Sequence, residues 1–416
     1  MHHRKRFLTL VTALTCVVTL SACGSSTKSN SAGSTTLQTA AAAAPKQATG
    51  APIKVGFLCS CSGAFGYIGV GARDVYQAWV NTVNASGGIN GHPVQVIYED
   101  DQLIPGTAEV NAQTVISDGV VAIVDATALD SVWAKTVDAA KIPVIGTIIT
   151  STPFYTDPNF FPQGETNDSL VAAIAATMKQ AGATKFGQIY CAEAPQCQQA
   201  VPLIKTAGSK IGLSDVYNTQ IAATAPNYTA ECLAAKQAGV QAAFIGDGAP
   251  IIAKVATDCN QQGYDPTYVI EGNSFNSQTT SAPGMKNTLW AQFNYLPYFS
   301  TAAPVQAMNA AVDKYYPGLR SNPTQWTQQG AGSWPSGLLL KDAVAAGGLS
   351  ATGTPSSAEI LKGLYSLKAD TLDGWSPPLT FVQGQPTSVD CWYTGRVQNG
   401  APTLVNNGQL TCSNGQ

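Results

Sequence analysis

From Ile53 onward the sequence alternates short apolar runs with longer amphipathic stretches, and this alternation is what most constrains the fold. In the first half, the spacing of apolar residues predicts strands and helices in turn, at 53–58, 76–83, 94–98, 107–116, 120–124, 131–140 and 142–147. Repeated strand–helix–strand units of this length predict a parallel, doubly wound α/β sheet with right-handed crossovers.

The same pattern restarts after a proline-rich break at Pro153, Pro158 and Pro162. It predicts helices at 167–181, 198–210, 228–238 and 249–262, with strands at 185–190, 215–221, 240–246, 267–271 and 289–293. Further helices are expected at 304–315, 327–346 and 356–365, and short strands at 379–381 and 389–393. Two α/β lobes connected in this way form a two-lobe fold with a hinge and a cleft between the lobes. Ligands of such sheets bind outside the carboxyl ends of the strands.

The N-terminus has the architecture of a secretory signal, with basic residues 4–6, an apolar run at 7–20 and small residues before Cys23. The sequence Leu-Ser-Ala-Cys at 20–23 resembles a bacterial lipobox, which implies that Cys23 is lipidated and becomes the first mature residue. An ordinary secretory cleavage site is the alternative. Residues 24–50 are small and polar and predict a flexible tether. We therefore expect an extracytoplasmic protein, anchored to the outer face of the cell membrane by Cys23.

The charge content favours a small-molecule binder. Only 11% of the residues are charged, and the formal net charge of −3 becomes −6 when the three basic residues of the signal are removed. A weakly acidic chain without basic clusters argues against nucleic-acid binding. The 366 residues after position 50 suit two lobes. We expect a monomer that needs no cofactor.

Eight cysteines remain after the signal segment and Cys23 are set aside, and an even number in an oxidising compartment predicts disulfides. Proximity in sequence favours Cys191 with Cys197, Cys232 with Cys259, and Cys391 with Cys412, and leaves Cys59 with Cys61. A metal site is the competing interpretation. It is disfavoured because His92, which we expect at the surface, is the single histidine after the signal and no Cys-x-x-Cys pair occurs.

Three loops that follow strands of the first lobe carry small or hydroxyl-bearing residues that could surround a ligand. The candidates are Ser62, Gly63, Phe65 and Tyr67 after the first strand, Thr127 after the third, and Ile149, Thr150 and Ser151 after the fourth. Hydroxyls and backbone N–H groups that converge in this way would bind a carboxylate. As separate helix caps they would carry no function.

In the second lobe, Asp247 and Glu271 lie where strands should end at the cleft, so either could pair with a ligand ammonium group. A helix cap and a solvated turn are the alternatives. No nucleophile elbow, zinc-protease motif or phosphate-binding loop is present in the sequence, so we expect that the protein is not an enzyme.

A known family is recognisable at 54–62, at Gly69, at the turn 83–91 (Val-Asn-Ala-Ser-Gly-Gly-Ile-Asn-Gly) and at 99–101. Together these motifs resemble the type I periplasmic binding proteins, and within them the branched-chain amino acid binding proteins of ABC importers. The resemblance covers about residues 51–400. It implies two lobes joined by a three-stranded hinge, with lobe 1 at 51–165 plus 297–375 and lobe 2 at 166–296 plus 376–416.

The resemblance also implies roles for individual residues. Thr127 would bind the ligand carboxylate, Ile149 and Ser151 would contact the ligand from the next loop, and the loop at Phe65 would wall the pocket. The ammonium partner would be Glu271, or Asn273 two residues further on.

The sequence thus predicts a lipid-anchored solute-binding protein of an ABC importer, which captures a small carboxylate-bearing ligand such as an amino acid and delivers it to a membrane permease. A ligand-sensing receptor of the same fold and a surface lipoprotein without a transport role are the alternatives.

Overall fold

The computed structural model describes residues 47–63, 66, 69, 71–193 and 195–413. The predicted signal segment with Cys23, and the tether as far as residue 46, lie outside the described residues. The described residues belong to one compact unit, Pro45–Gln416, which contains two sheets.

The first sheet has five parallel strands in the order β2-β1-β3-β4-β5. These strands are β1 (Ile53–Cys59), β2 (Val94–Asp100), β3 (Ala122–Ala126), β4 (Val144–Gly146) and β5 (Phe160–Phe161). Both faces of β3 are buried, which explains its continuous apolar run. The chain order reverses between β1 and β3, and ligands of doubly wound sheets bind at such a switch point.

Helices cover both faces of the first sheet. Its own crossovers contribute α1 (Ala72–Ala85), α2 (Pro105–Ser117), α3 (Asp130–Ala140) and the short α4 (Pro153–Thr156). The apolar stripe of α1, which includes Tyr76 and Trp79, is buried against β1, whereas α2 and α3 pack on the opposite face. After α1 the chain turns at Gly88, where φ is +72° and a Cβ atom would lie 2.1 Å from the carbonyl oxygen of His92. Only glycine fits this turn.

The second sheet is mixed, with the main order β12-β11-β10-β9-β8-β6-β7. Its parallel strands are β6 (Lys185–Cys191), β7 (Ser214–Ile221), β8 (Ala242–Gly246), β9 (Thr267–Glu271) and β10 (Leu289–Phe293). The antiparallel strands β11 (Cys391–Gln398), β12 (Ala401–Leu404) and β13 (Thr411–Cys412) complete it. Its own switch point lies between β6 and β8.

The helices of this sheet are α5 (Asn167–Gln180), α6 (Pro195–Lys210), α7 (Thr229–Gln237), α8 (Ala249–Gln261) and α9 (Ser277–Thr280). Helices α5 and α6 cover one face of the sheet, and α7 and α8 cover the other. The chain then returns to the first sheet as α10 (Ala303–Tyr315), α11 (Gln328–Ala331), α12 (Ser333–Gly347) and α13 (Ser357–Ser366). Of these, α10, α11 and α12 pack on α1, and α13 packs on α12.

The chain passes between the two sheets three times, and these passages are hydrogen-bonded to one another. Glu165 N donates to Asn294 O at 2.9 Å, and Asn294 Nδ2 donates back to Glu165 O at 2.8 Å. Thr166 N donates to Val389 O at 3.1 Å. The two-lobe α/β architecture and the three-stranded hinge implied by the family resemblance are therefore confirmed.

Several predicted elements differ in the structure. The helix expected at 327–346 is divided at Gly332, where a Cβ atom would lie 2.1 Å from Tyr295 Oη. The segment at 379–381 is not a strand: Leu379 follows two prolines, which have no N–H to donate, and forms one isolated bridge with Asp370. The strand expected at 389–393 begins at Cys391 and is longer.

The expectation that His92 lies at the surface was wrong. Its side chain is buried, and its ring nitrogens lie 2.7 Å from Ala51 O and 2.8 Å from Ser350 O. The histidine therefore ties the start of β1 to the loop after α12.

The structure contains the three disulfides that the cysteine spacing favoured, and it also pairs the two remaining cysteines. The four disulfides join Cys59 to Cys61, Cys191 to Cys197, Cys232 to Cys259 and Cys391 to Cys412. Because all eight of these cysteines are paired, they do not support the competing metal interpretation.

Candidate functional site

At the switch point of the first sheet, three buried side chains form a chain of hydrogen bonds. Ser60 Oγ donates to Asp101 Oδ1 at 2.7 Å and lies 2.9 Å from Thr127 Oγ1. Since the single hydroxyl hydrogen of Ser60 is used by Asp101, Thr127 is the donor to Ser60. Thr127 Oγ1 also accepts a hydrogen bond from Leu129 N at 3.0 Å. The predicted carboxylate-binding hydroxyl of Thr127 is thus held inside the protein.

The loop after β4 places its three candidates in different environments. Ile149 is 2% exposed and packs in the core beneath α3, whereas Thr150 is partly exposed. Ser151 is partly exposed, and its hydroxyl donates to Asp130 Oδ2 at the start of α3. The loops after β3 and β4 are therefore joined directly, as expected for neighbouring strands of a parallel sheet.

The loop after β1 is described only in part. Ser62 and Gly63 are exposed, and Gly63 has φ of +81°. Phe65 and Tyr67 lie outside the described residues, so their predicted roles stay predictions.

Buried carboxyl groups lie beneath these loops. The spacing of residues in the sequence did not predict this group of acids. Asp101, Asp125 and Asp130 are each at most 1% exposed. Burial raises the pKa of Asp125 well above its ordinary range, and the neighbouring Asp130 and Asp101 raise it further. Burial raises the pKa of Asp130 to about 7 against the hydrogen bonds from Ser151 and Ser131. Asp125 and Asp130 therefore bind their protons more tightly than ordinary aspartates do.

A pair of glutamines connects the loop after β4 to the hinge. Gln163 Nε2 donates to Thr147 O at 3.2 Å and to Gly332 O at 3.3 Å, and Gln329 Nε2 lies 3.4 Å from the same Thr147 oxygen. Neither glutamine is predicted from the sequence as part of the site. Gln163 directly follows Pro162 in the proline-rich break, and the amide side chain of Gln329 has no motif around it.

At the switch point of the second sheet, Asp247 follows β8 and lies near Glu193, which follows β6. Asp247 Oδ1 accepts a hydrogen bond from Gly248 N at 2.7 Å, whereas its Oδ2 is buried without a partner among the described residues. Burial raises the pKa of Asp247 to about 6, opposed by the bond from Gly248 and reinforced by the charge of Glu193. Ser274 Oγ donates to Asp247 O at 3.0 Å, which joins this loop to the turn after β9.

Glu271 is the last residue of β9, and its side chain is partly exposed. Its carboxylate has no hydrogen-bond or salt-bridge partner in the described part of the chain, and burial raises its pKa to about 7. Asn273 follows in a short 3₁₀ turn, Gly272–Ser274, and is also partly exposed. This turn packs against α11, which in turn packs on α1 of the first lobe.

The structure therefore gathers the predicted residues into two groups, one at the end of each sheet. The first joins Thr127 to Ser60, and Ser151 to Asp130. The second contains Asp247, Glu271 and Asn273.

The rest of the described chain contains no other candidate site that includes the predicted ligand-binding residues. Residues 47–413, apart from the gaps given above, contain no cluster of three metal-ligating side chains and no helix long and apolar enough to cross a membrane. Two surface pockets, of about 510 Å³ beside Tyr316 and about 340 Å³ beside Trp375, are lined by none of the predicted ligand-binding residues.

Solved structures of bacterial binding proteins share this fold. A branched-chain amino acid ABC transporter protein from Thermus thermophilus with bound valine has a TM-score of 0.76 at 11% identity, with 88% of this chain and 98% of that chain covered. A fatty acid ABC transporter substrate-binding protein from Thermomonospora curvata has a TM-score of 0.70 at 17% identity, with 88% and 94% covered. A solute-binding protein from R. palustris in complex with benzoate has a TM-score of 0.68 at 15% identity, with 88% and 98% covered. At these identities the likeness establishes the fold alone.

Sequence comparison identifies the family. No curated protein sequence matches the chain. A family model described as periplasmic binding protein matches residues 52–402. Because this match spans most of the chain, the protein belongs to the periplasmic binding protein family, whose members are extracytoplasmic ligand binders and not enzymes.

Proposed function

We propose that this protein is a lipid-anchored solute-binding protein of an ABC importer, which captures a small amino compound with a carboxylate, such as an amino acid, between its two lobes. The observation that carries the proposal is Glu271. A partly exposed carboxylate that is desolvated and lacks a partner, at the carboxyl end of a strand, is suited to pair with a ligand ammonium group.

The ligand carboxylate would be bound by the first lobe. Thr127 donates to Ser60 and Ser151 donates to Asp130, so a carboxylate would either displace these bonds or use backbone N–H groups of the loop 149–151. Valine and benzoate, bound by two proteins of the same fold, both carry a carboxylate, which supports this ligand class.

Ligand binding would favour a closed arrangement of the lobes. The hinge passages are held to one another by backbone groups at Glu165, Asn294 and Val389 and by the side-chain amide of Asn294, so they can bend together while the two sheets stay rigid. A ligand that touches both lobes stabilises the closed state by its extra contacts there. The permease would recognise that closed state. The lobes would have the bounds 51–165 plus 297–375 and 166–296 plus 376–416.

The anchor is proposed from the sequence Leu-Ser-Ala-Cys, with the polar segment 24–50 as the tether. A Cys23→Ser variant expressed in its native host should move from the membrane fraction to the soluble extracytoplasmic fraction. A variant that remains with the membranes would refute the anchor.

The function is tested by thermal unfolding of the chain from residue 24 onward, with its disulfides formed, against amino acids, amides and organic acids. A ligand at about 100 times its dissociation constant adds about 2.7 kcal/mol to the free energy of unfolding, which raises the midpoint by a few degrees. We expect amino acids or close relatives to give this increase. An unchanged midpoint with every compound would contradict the proposed ligand class.

Transport and sensing are separated in cells. Deletion of the gene should abolish uptake of the ligand that the unfolding screen identifies. Normal uptake together with loss of a transcriptional response to that ligand would instead identify a sensor.

A further inference from the structure

Behind Glu271, one face of the second sheet carries a row of polar side chains on three neighbouring strands. Glu271 on β9 is paired with Gln292 on β10, and Gln292 is paired with Thr394 on β11. Side chains at paired positions project from the same face, and neighbouring strands lie about 4.8 Å apart. The three side chains therefore stand side by side at the cleft end of the sheet.

The two inner members of this row are buried without hydrogen-bond partners. Gln292 is 0% exposed, and neither its Oε1 nor its Nε2 has a partner among the described residues. Thr394 is 4% exposed, and its Oγ1 also lacks one. Helix α5 packs over β9, β10 and β11, and its Thr177 contributes another buried hydroxyl that no described group satisfies.

Next to Glu271 and Gln292 on β9 and β10, this face becomes apolar. Two residues further from the edge, the same face carries Val269 and Trp290, which pack in the apolar core beneath α5. An unsatisfied buried amide is costly, whereas an apolar side chain of similar shape is not. A ligand that supplies these hydrogen bonds would offset the cost of burying a glutamine at position 292.

The charges around the row define the chemistry of that partner. Arg396, a basic side chain near this row, stacks on Trp290 with its guanidinium carbon 5.3 Å from the ring centroid and donates to Gln398 Oε1 at 2.9 Å. Glu271 takes part in no salt bridge among the described residues. Its carboxylate only accepts hydrogen bonds, and Gln292 Oε1 is a second acceptor beside it. A nitrogen atom with at least two hydrogens can donate to both.

We propose that Gln292 is a ligand-binding residue that, together with Glu271, receives a primary ammonium group of the ligand, with Thr394 completing this subsite. The inference rests on the proposed function, and it names Gln292 and Thr394 as residues that select ligands with such a nitrogen over ligands that carry a carboxylate alone.

The test uses two sets of probes that share a side chain and differ in the charged group. The first is L-leucine, 3-methylbutylamine and 4-methylpentanoate, and the second is L-phenylalanine, 2-phenylethylamine and 3-phenylpropanoate. Thermal unfolding of the wild-type chain from residue 24 identifies the probes that bind, and calorimetry then measures their dissociation constants. We expect binding of nitrogen-bearing probes and none of the two simple carboxylates.

Variants then assign the selection to the row. Gln292→Leu removes the amide at nearly constant size and should weaken binding of the nitrogen-bearing probe by about 10- to 100-fold. Thr394→Val should weaken it to a smaller extent, and Thr394→Ser, which keeps the hydroxyl, should restore it. Gln188→Leu is the matched control: it is the same substitution in the same sheet, on β6, where Gln188 donates to Val201 O at 3.1 Å inside the protein. Its binding constants should equal those of the wild type.

The outcomes separate this inference from the proposed function. A folded Gln292→Leu variant that binds the nitrogen-bearing probe as tightly as the wild type would overturn the inference and leave the proposed function standing. Preference of the wild type for the simple carboxylates would overturn both the inference and the amino-compound assignment. Failure of all six probes to bind would overturn both the inference and the amino-compound assignment.

Discussion

Replacing Glu271 with glutamine removes the ionisable group at the end of β9 and keeps its size. We expect Glu271→Gln to weaken binding of an amine-bearing ligand while it makes the ligand-free protein more stable above neutral pH. Opposite effects on binding and on stability would distinguish a carboxylate kept for function from one that supports the fold.

The expected gain in stability follows from the pKa. Burial raises the pKa of Glu271 from its ordinary value of 4.5 to about 7. The difference between these two pKa values corresponds to an upper limit of about 3.4 kcal/mol, at 1.36 kcal/mol for each pKa unit. Because the side chain is partly exposed, solvent screening reduces this limit, and we expect a gain of about 1–3 kcal/mol.

The raised pKa of Glu271 also determines how the stability of the wild type changes with pH. The folded protein binds the Glu271 proton more tightly than the unfolded chain, so the wild type loses stability as the pH rises from 4.5 to about 7. Below that pH range Glu271 is protonated in both the folded and the unfolded wild type, and the stability difference from the variant disappears. The free energy of unfolding of Glu271→Gln should therefore equal that of the wild type near pH 4.5 and exceed it above about pH 7.

The assay is urea denaturation of the wild type and the variant at about pH 4.5 and about pH 8, analysed by linear extrapolation. Glu231→Gln, on α7, is the control for loss of a carboxylate elsewhere in the same lobe. The reasoning about burial would be refuted if Glu271→Gln were no more stable than the wild type at the higher pH, or if the difference between them were the same at both pH values.

Three further perturbations probe the first lobe, the disulfides and the helix packing. Thr127→Ala should weaken ligand binding, measured by calorimetry, by about 1–3 kcal/mol through loss of a buried hydroxyl; unchanged affinity would remove Thr127 from the site. Replacing Cys232 and Cys259 by alanine opens a loop whose ends are 27 residues apart and should lower the free energy of unfolding in urea by about 3–4 kcal/mol. In Gly363→Ala the new Cβ would lie 1.7 Å from a carbonyl oxygen of α12, so this variant should lower the free energy of unfolding by about 3 kcal/mol or more. Gly106→Ala is the control, because Gly106 has open space around it and the substitution should not lower the free energy of unfolding. Equal stability of these two glycine variants would contradict the packing.

Local patterns were sufficient to predict most of the architecture. The alternation of apolar runs with amphipathic stretches placed β1 and β9 to within a residue of their observed ends, because burial on both faces leaves a signature in each short segment. Three of the cysteine pairs could be inferred because they close short loops. The position of Glu271 at the cleft end of its strand followed from the same argument, since strand ends in a parallel sheet share one edge.

The sequence by itself therefore determined the two α/β lobes and three of the four disulfide pairs, and it predicts the edge at which a ligand should bind. Tertiary structure alone decided which groups meet there. The hydrogen bond between Ser60 and Thr127 joins residues 67 positions apart, and the row of Glu271, Gln292 and Thr394 depends on strand pairing, including an antiparallel strand that returns from the C-terminal region. The pKa values of the buried acids depend on the same assembly. Burial and the neighbourhood of a charge are properties of the packed chain, so no local pattern of residues contains them.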